Sequence, residues 1–205
     1  MKLYNSMSPN GMRVDIFIAE KGIEIETVNV GIMDGETQGE AFRKINSLGE
    51  VPVLELADGT IITESIAICR YLEAKHPAPA LFGITEKEQA LVEMWNRRIE
   101  LKLFQVIGAI GLHTFELFRE RITQVPEYAE TQRNLFPERL GWLDKELSDD
   151  RAFIAGENFS VADITGMAML GLCRFVQYEI PEELTRVKRW EAAIKARPSW
   201  PQMPG

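Results

Sequence analysis

The sequence predicts an α+β first domain followed by an all-α second domain. Three observations carry this. Short β-branched runs alternate with helical periodicity up to about Lys75. A proline-rich stretch, His76-Pro77-Ala78-Pro79, then interrupts the pattern. Everything after it has helical spacing and no convincing strand. The expected layout is one domain over residues 1–78, a connector over 79–85 and a helical domain over 86–205.

Lys2-Leu3-Tyr4 opens as a strand. From Asn10 to Lys21, Met12, Ile16 and Ala19 recur with Val14 and Ile18 at helical spacing, and Gly22 stops the helix. Ile25 to Val30 reads as a strand, Gly31 to Gly39 as turns and Glu40 to Asn46 as a short helix. Val53 to Leu56 and Thr60 to Ile62 flank Ala57-Asp58-Gly59, a hairpin with glycine at its bend. Thr63 is expected to cap a helix running through Lys75. The order β-α-β-α-β-β-α predicts one parallel pair with a right-handed crossover and one antiparallel hairpin. Beyond the connector, Thr85 to Glu120 reads as one long helix bent near Gly108 and Gly111. Further helices are expected from Pro126 to Leu147, Ser160 to Val176 and Pro181 to Arg197. Ser160-x-x-Asp163 is a capping-box variant with a structural role.

Composition narrows the function. The chain has 205 residues, 45% hydrophobic and 26% charged, which is ordinary for a folded soluble protein. Its net charge of -8 argues against a nucleic-acid partner, because phosphate binding needs a basic surface. No apolar run reaches membrane-spanning length and Met1 to Met12 lack a secretory pattern, so a cytoplasmic protein without membrane association is expected. Cys69 and Cys173 are far apart among apolar residues and read as buried thiols. His76 at a helix end and His113 on a helix cannot build a metal site, and no metal is expected.

Three quartets remain: Ser8-Pro9-Asn10-Gly11, Glu50-Val51-Pro52-Val53 and Thr63-Glu64-Ser65-Ile66. Each is weak alone. With Asn46-x-x-Gly49 before Val51-Pro52, Ala67-Ile68 and Tyr71-Leu72 after Ser65, Phe159-Ser160-Val161-Ala162-Asp163-Ile164 and Arg197-Pro198-Ser199, they make the chain resemble the cytosolic glutathione transferase superfamily over essentially its whole length. That family joins a thioredoxin-like domain to an all-helical domain. The resemblance is to its bacterial serine-type members. The first quartet is also similar to the nu-class disulfide-reductase group, which carries Thr-Pro-Asn-Gly there.

The resemblance implies glutathione as co-substrate and a site of named residues. Ser8, six residues before Val14 as in serine-type members, would donate to the glutathione sulfur. A thiolate is the nucleophile, and a helix N-terminus plus a hydroxyl donor lowers the thiol pKa without a formal base. The same serine is a good helix cap, and Ser6 and Tyr4 are competing hydroxyls. Asn10 is either a second donor to the sulfur or a capping residue, and Pro9 and Gly11 shape the turn so that the backbone can approach the ligand. Pro52 would follow a cis bond, exposing the Val51 N–H and C=O for strand-like pairing with the cysteinyl unit. Glu64 suits the γ-glutamyl ammonium and Ser65 its carboxylate. Gln38 lies where relatives hold the glycine end; Glu50 replaces the basic residue common there and leaves that carboxylate's partner open.

The electrophile site is expected between the domains, with Phe104, Ile107, Gly108, Gly111, Phe115 and Tyr178 as candidates against a plain core role. Trp95-Asn96-Arg97-Arg98-x-Glu100 reads as a charged surface face, with a subunit interface as the alternative. The activity implied is glutathione conjugation to a small hydrophobic electrophile in a detoxifying homodimer. Glutathione-dependent disulfide reduction and a non-catalytic binding role are the alternatives.

Overall fold

The computed structural model describes residues 1–200. They divide into two compact units, separated in sequence between Ala80 and Leu81.

The first unit is built on a four-stranded mixed sheet. Its elements are β1 (Lys2–Asn5), α1 (Pro9–Lys21), β2 (Glu26–Asn29), α2 (Glu40–Arg43), β3 (Val53–Glu55), β4 (Ile61–Ile62) and α3 (Ser65–Lys75), with a 3-10 turn at Glu36–Gln38. The strand order is β2-β1-β3-β4, with β1 parallel to β2 and antiparallel to β3. Side chains alternate across the sheet. Leu3 and its partner Leu54 therefore face one side, where α1 and α3 pack with Val14, Phe17, Ile68 and Leu72, all fully buried. Tyr4 and its partner Val53 face the other, in a cluster with Val30, Phe42 and Val51.

Gly22 ends α1 in the left-handed region, as its position after the periodic run predicts. Lys21 then does a job the sequence did not announce. Its buried ammonium pairs with Glu73 at 2.5 Å and donates to the carbonyls of His76 and Pro79. Lys21 thus brings a cation from α1 to the C-terminus of α3. Thr63 does not cap α3. The chain turns at Glu64, which takes φ 66°, so Thr63 lies outside the helix.

The second unit is helical: α4 (Glu86–Ile99), α5 (Gln105–Thr114), α6 (Pro126–Glu146), α7 (Val161–Phe175) and α8 (Thr185–Lys195). Thr85 and Glu88 close a reciprocal capping box on α4. The single helix expected from Thr85 to Glu120 is not continuous. A π-helical segment, Glu100–Phe104, separates α4 from α5, and extended Phe115 ends α5 before a 3-10 turn at Glu116–Phe118. Gly108 and Gly111 lie inside regular helix and are not the irregularity. The charged face expected around Trp95 is only partly exposed. Trp95 is buried, with the guanidinium groups of Arg98 and Arg151 at 4.9 and 4.6 Å from its ring, and Asn96 is buried against Thr165 at 2.6 Å.

Helix α7 is the axis of this unit, buried from Val161 through Cys173. Burial pushes the Cys173 thiol up to about 12 and raises Cys69 further, so both are inert structural thiols. Asp163 fastens α7 by accepting from the Ile154 and Ser160 N–H groups and from Trp190 Nε1, at 2.8, 2.9 and 3.0 Å. The Trp190 indole lies on Gly166, where an added Cβ would meet it at 2.5 Å. Helix α8 starts at Thr185, later than Pro181, because Asp144 of α6 supplies its cap: its carboxylate accepts from the Arg186 and Val187 N–H groups at 2.9 and 3.1 Å. Desolvation works against the charge on Asp144, but those donors and the Arg186 guanidinium outweigh it and hold the carboxyl below its ordinary range.

Gly166→Ala should cost about 2–3 kcal/mol in urea unfolding, since neither the α7 backbone nor the indole has room to retreat. Asp144→Asn should cost about 2 kcal/mol at neutral pH. A depressed folded-state pKa gives stability that is present above the unfolded value, about 4, and lost as pH falls through the folded value. Unfolding midpoints of wild type and Asp144→Asn should therefore converge on acidification; a constant gap would show that the charge is not the source.

Candidate active site

The strand directions bring the three quartets together. Since β1 and β2 are parallel while β3 is antiparallel to β1 and β4 to β3, the ends of β1, β2 and β4 and the start of β3 lie along one edge. Ser8 and Asn10 follow β1, Gln38 follows β2, Glu50, Val51 and Pro52 precede β3, and Glu64 and Ser65 follow β4.

Ser8 is the N-cap of α1, in extended backbone, and its Oγ accepts from the Gly11 N–H at 3.0 Å. That bond occupies a lone pair and leaves the hydroxyl proton for another acceptor. Pro9 begins the helix where a missing N–H costs nothing. Asn10 is exposed in the first turn. Gly11 is required by the turn: a Cβ there would lie 2.3 Å from the Ser6 carbonyl and 2.4 Å from Asn5 Oδ1. Asn5, 4% exposed, donates to the Gly11 carbonyl and to Asp15 at 2.8 Å. Of the competing hydroxyls, Tyr4 is committed elsewhere. It donates to Glu55 at 2.8 Å, and that bond raises its pKa.

The Val51–Pro52 peptide is cis, as its sequence context predicts. Val51 lies just before β3, outside the ladder that pairs Val53 with Tyr4. The loop ahead of it is braced by two side chains, one of them held in turn by Arg43. Asn46 Nδ2 donates to the Glu50 carbonyl at 2.8 Å, Gln38 Nε2 to the Gly49 carbonyl at 2.9 Å, and Arg43 to Gln38 Oε1 at 2.6 Å. Gln38 is therefore a brace as well as a candidate ligand. Glu50 itself is exposed.

Glu64 is the N-cap of α3 with φ 66° and ψ 116°, a conformation L-residues rarely adopt, and its side chain is exposed. Ser65 is the first helical residue, 5% exposed, and its Oγ accepts from Arg13 NH1 at 3.3 Å. Arg13, 1% exposed, is the site residue that sequence reasoning passed over. The signal was a charged side chain within the apolar face of α1, next to Val14.

In the second unit the acceptor-site candidates separate. Ile107 is fully buried core. Phe115 lies against half-exposed Phe175 with ring centroids 4.5 Å apart, and Gly111 packs directly behind that pair. Tyr178 packs edge-on to Phe136 at 5.0 Å. No group of three His, Cys, Asp or Glu side chains that could hold a metal occurs among the described residues, and none of their helices is long and apolar enough to cross a membrane.

A mixed four-stranded sheet with helices on both faces, a capped helix N-terminus at its edge and a cis-proline beside it define a thioredoxin-like unit, here followed by a helical one. Comparison with known proteins specifies it. Residues 7–75 match the glutathione S-transferase N-terminal domain and residues 119–193 the C-terminal domain. The chain is 33% identical to glutathione S-transferase 2 of Saccharomyces cerevisiae, over 93% of this chain and 83% of that protein. It is 30% identical to human glutathione S-transferase theta-2, over 89% and 75%. A glutathione S-transferase domain-containing protein of Marinobacter aquaeolei superposes with a TM-score of 0.92 at 36% identity, covering 98% of this chain and 100% of that one. Gtt2 of Saccharomyces cerevisiae gives 0.90 at 33%, covering 97% and 98%. The chain belongs to the glutathione S-transferase family and is an enzyme of that family.

The backbone at Glu64 yields a stability test. Glycine already exceeds alanine at an ordinary N-cap, and at this φ the margin should widen, with Glu64→Gly more stable than Glu64→Ala by more than about 1 kcal/mol. Equal or reversed urea midpoints would show that no strain resides there.

Proposed function

We propose that this enzyme holds glutathione along the described sheet edge and stabilises its thiolate with Ser8. The observation that carries this reading is the Ser8 hydroxyl at the α1 N-terminus, accepting from Gly11 N–H at 3.0 Å with its own proton left to donate. A thiolate placed there meets that O–H and the positive end of the helix dipole. It then attacks the electrophilic carbon of a small hydrophobic acceptor; a C–S bond forms and the leaving group takes the electron pair. The Val51 N–H and C=O pair with the cysteinyl unit, Ser65 takes the γ-glutamyl carboxylate at the N-terminus of α3, and exposed Glu64 takes the ammonium. Glu50 offers nothing to the glycine carboxylate, whereas Gln38 and the Arg43 guanidinium joined to it offer an amide and a cation. The protein works as a cytoplasmic homodimer without membrane or nucleic-acid partners, and its role is detoxification. Support for glutathione as the thiol comes from human theta-2, solved in complex with it, which shares 28% identity and a TM-score of 0.84.

Glutathione-dependent disulfide reduction is the second reading, and Asn10 favours it. Its amide is exposed in the first turn of α1, beside the place proposed for the sulfur. The test runs a chloro-dinitro-aromatic acceptor and a hydroxyethyl mixed disulfide in parallel, for wild type, Ser8→Ala and Asn10→Ala. Ser8→Ala should lower conjugation roughly 100-fold. It should also move the acid limb of the pH–rate profile up by about one unit, because the thiolate loses a donor. Disulfide turnover that depends on Asn10 and not on Ser8 would make the enzyme a reductase. Glutathione bound without turnover of either substrate would leave a binding protein.

A further inference from the structure

We propose that Asp15 is a positioning residue for the Ser8 hydroxyl, acting through the Asn5 amide; this rests on the role of Ser8 proposed above. Asn5 ends β1 and is held by both its backbone and its side chain. Its carbonyl accepts from the Val30 N–H at 2.8 Å. Its Nδ2 donates to the Gly11 carbonyl at 3.3 Å and to Asp15 Oδ1 at 2.8 Å. Gly11 and Asp15 are one turn apart on α1, so both acceptors meet Asn5 from one face of the helix. An amide carries its two N–H groups on one arm and only acceptor lone pairs on the other. A carboxylate offers no proton, so ionised Asp15 admits one orientation of the Asn5 amide, the one that also gives the Gly11 carbonyl a donor. The Gly11 N–H in turn donates to Ser8 Oγ at 3.0 Å and leaves the serine proton for the sulfur. Asp15 and Ser8 are thus joined by three consecutive contacts, through Asn5 and Gly11.

Stability does not account for Asp15. The selected orientation leaves Asn5 Oδ1 buried, with no donor among the described residues. Asp15 is exposed as a whole residue, yet desolvation raises its carboxyl above the ordinary value, and the Asn5 donor offsets this only in part. A raised folded-state value makes the charge a cost. Its contribution to stability is fully present below the unfolded value, about 4, and is lost as pH rises through the folded one. At neutral pH the fold therefore carries an amide oxygen without a donor and a carboxylate better solvated elsewhere. Asp15→Ala would remove the second cost and suit the helix better. It would also remove the selection of the Asn5 orientation, on which the placement of Gly11 and its N–H rests.

The test uses wild type, Asp15→Ala, Asp15→Asn, Asn5→Ala, Ser8→Ala and the Asp15→Ala/Ser8→Ala double variant, with urea midpoints recorded for each. The pKa of bound glutathione is read from the ultraviolet absorbance of its thiolate, and conjugation is followed with a chloro-dinitro-aromatic acceptor. Asp15→Ala should raise the thiol pKa by about half a unit and lower conjugation roughly 3- to 10-fold, with a urea midpoint equal to or above that of wild type. Loss of a negative charge would by itself favour the thiolate and lower that pKa, so the sign separates positioning from field. Asp15→Asn keeps an oxygen for the Asn5 amide and should recover most of the loss. Asn5→Ala should lose at least as much as Asp15→Ala; the Asp15 variants decide the matter if it does not fold. In the Ser8→Ala background, Asp15→Ala should no longer raise the thiol pKa or slow conjugation, since it works through the serine. A thiol pKa that falls or stays put in Asp15→Ala, or a rise that persists without Ser8, would overturn the role of Asp15 and leave that of Ser8 standing. Ser8→Ala with the wild-type thiol pKa, or a wild type that does not bind glutathione, would overturn the Ser8 reading and this role with it.

Discussion

The turn from β1 to α1 has no room for a side chain at Gly11, and the working end of the sheet is arranged around that constraint. The backbone of Gly11 is pressed against the Ser6 carbonyl and the Asn5 amide. From there the Gly11 N–H reaches back to the Ser8 hydroxyl. Because β1 is a central strand, paired with both β2 and β3, the position of this turn also fixes where α1 begins relative to the loop before β3. One small residue thus sets the cap of a helix, the orientation of a hydroxyl and the spacing between two of the three site segments.

The two units divide their tasks. In the second, the core carboxylate of Asp163 is matched by three nitrogen donors, and the Asn96 amide oxygen accepts from Thr165. In the first, the same chemistry is arranged less favourably for stability, with Glu64 in an unfavourable backbone region and a guanidinium buried beneath Ser65. Departures of this kind from local preference are what a binding edge needs, because donors satisfied within the protein have nothing left for a ligand.

Much of this was legible in the sequence. Period and punctuation placed α1, the hairpin and the parallel pair, since Gly22, Gly59 and the β-branched runs act through local backbone preference. Ser8, Val51-Pro52 and Glu64-Ser65 stood out as motifs, and the strand directions explain why they lie on one edge. What escaped depended on partners distant in sequence. The start of α8 is fixed by Asp144, 42 residues before Arg186. The end of α3 is fixed by Lys21, 55 residues before His76. Ser65 is held by Arg13, 52 positions away. No window of local pattern contains these pairs. Thr63 was misread for the opposite reason: a good local cap was overruled by the turn at Glu64.

The π-helical segment between α4 and α5 has a consequence for how this fold can vary. A π turn holds one residue more than an α turn can use, so it behaves as an absorbed insertion. Rewinding Glu100 to Phe104 as ordinary α-helix, with all its residues kept, would turn α5 relative to α4. Every side chain from Gln105 to Thr114 would then swing by about 100° about the axis. Gly111 would leave the Phe115–Phe175 pair, and Ile107 would leave the core. A change in the winding of this one segment can therefore exchange the face that α5 presents, with no substitution in α5 itself.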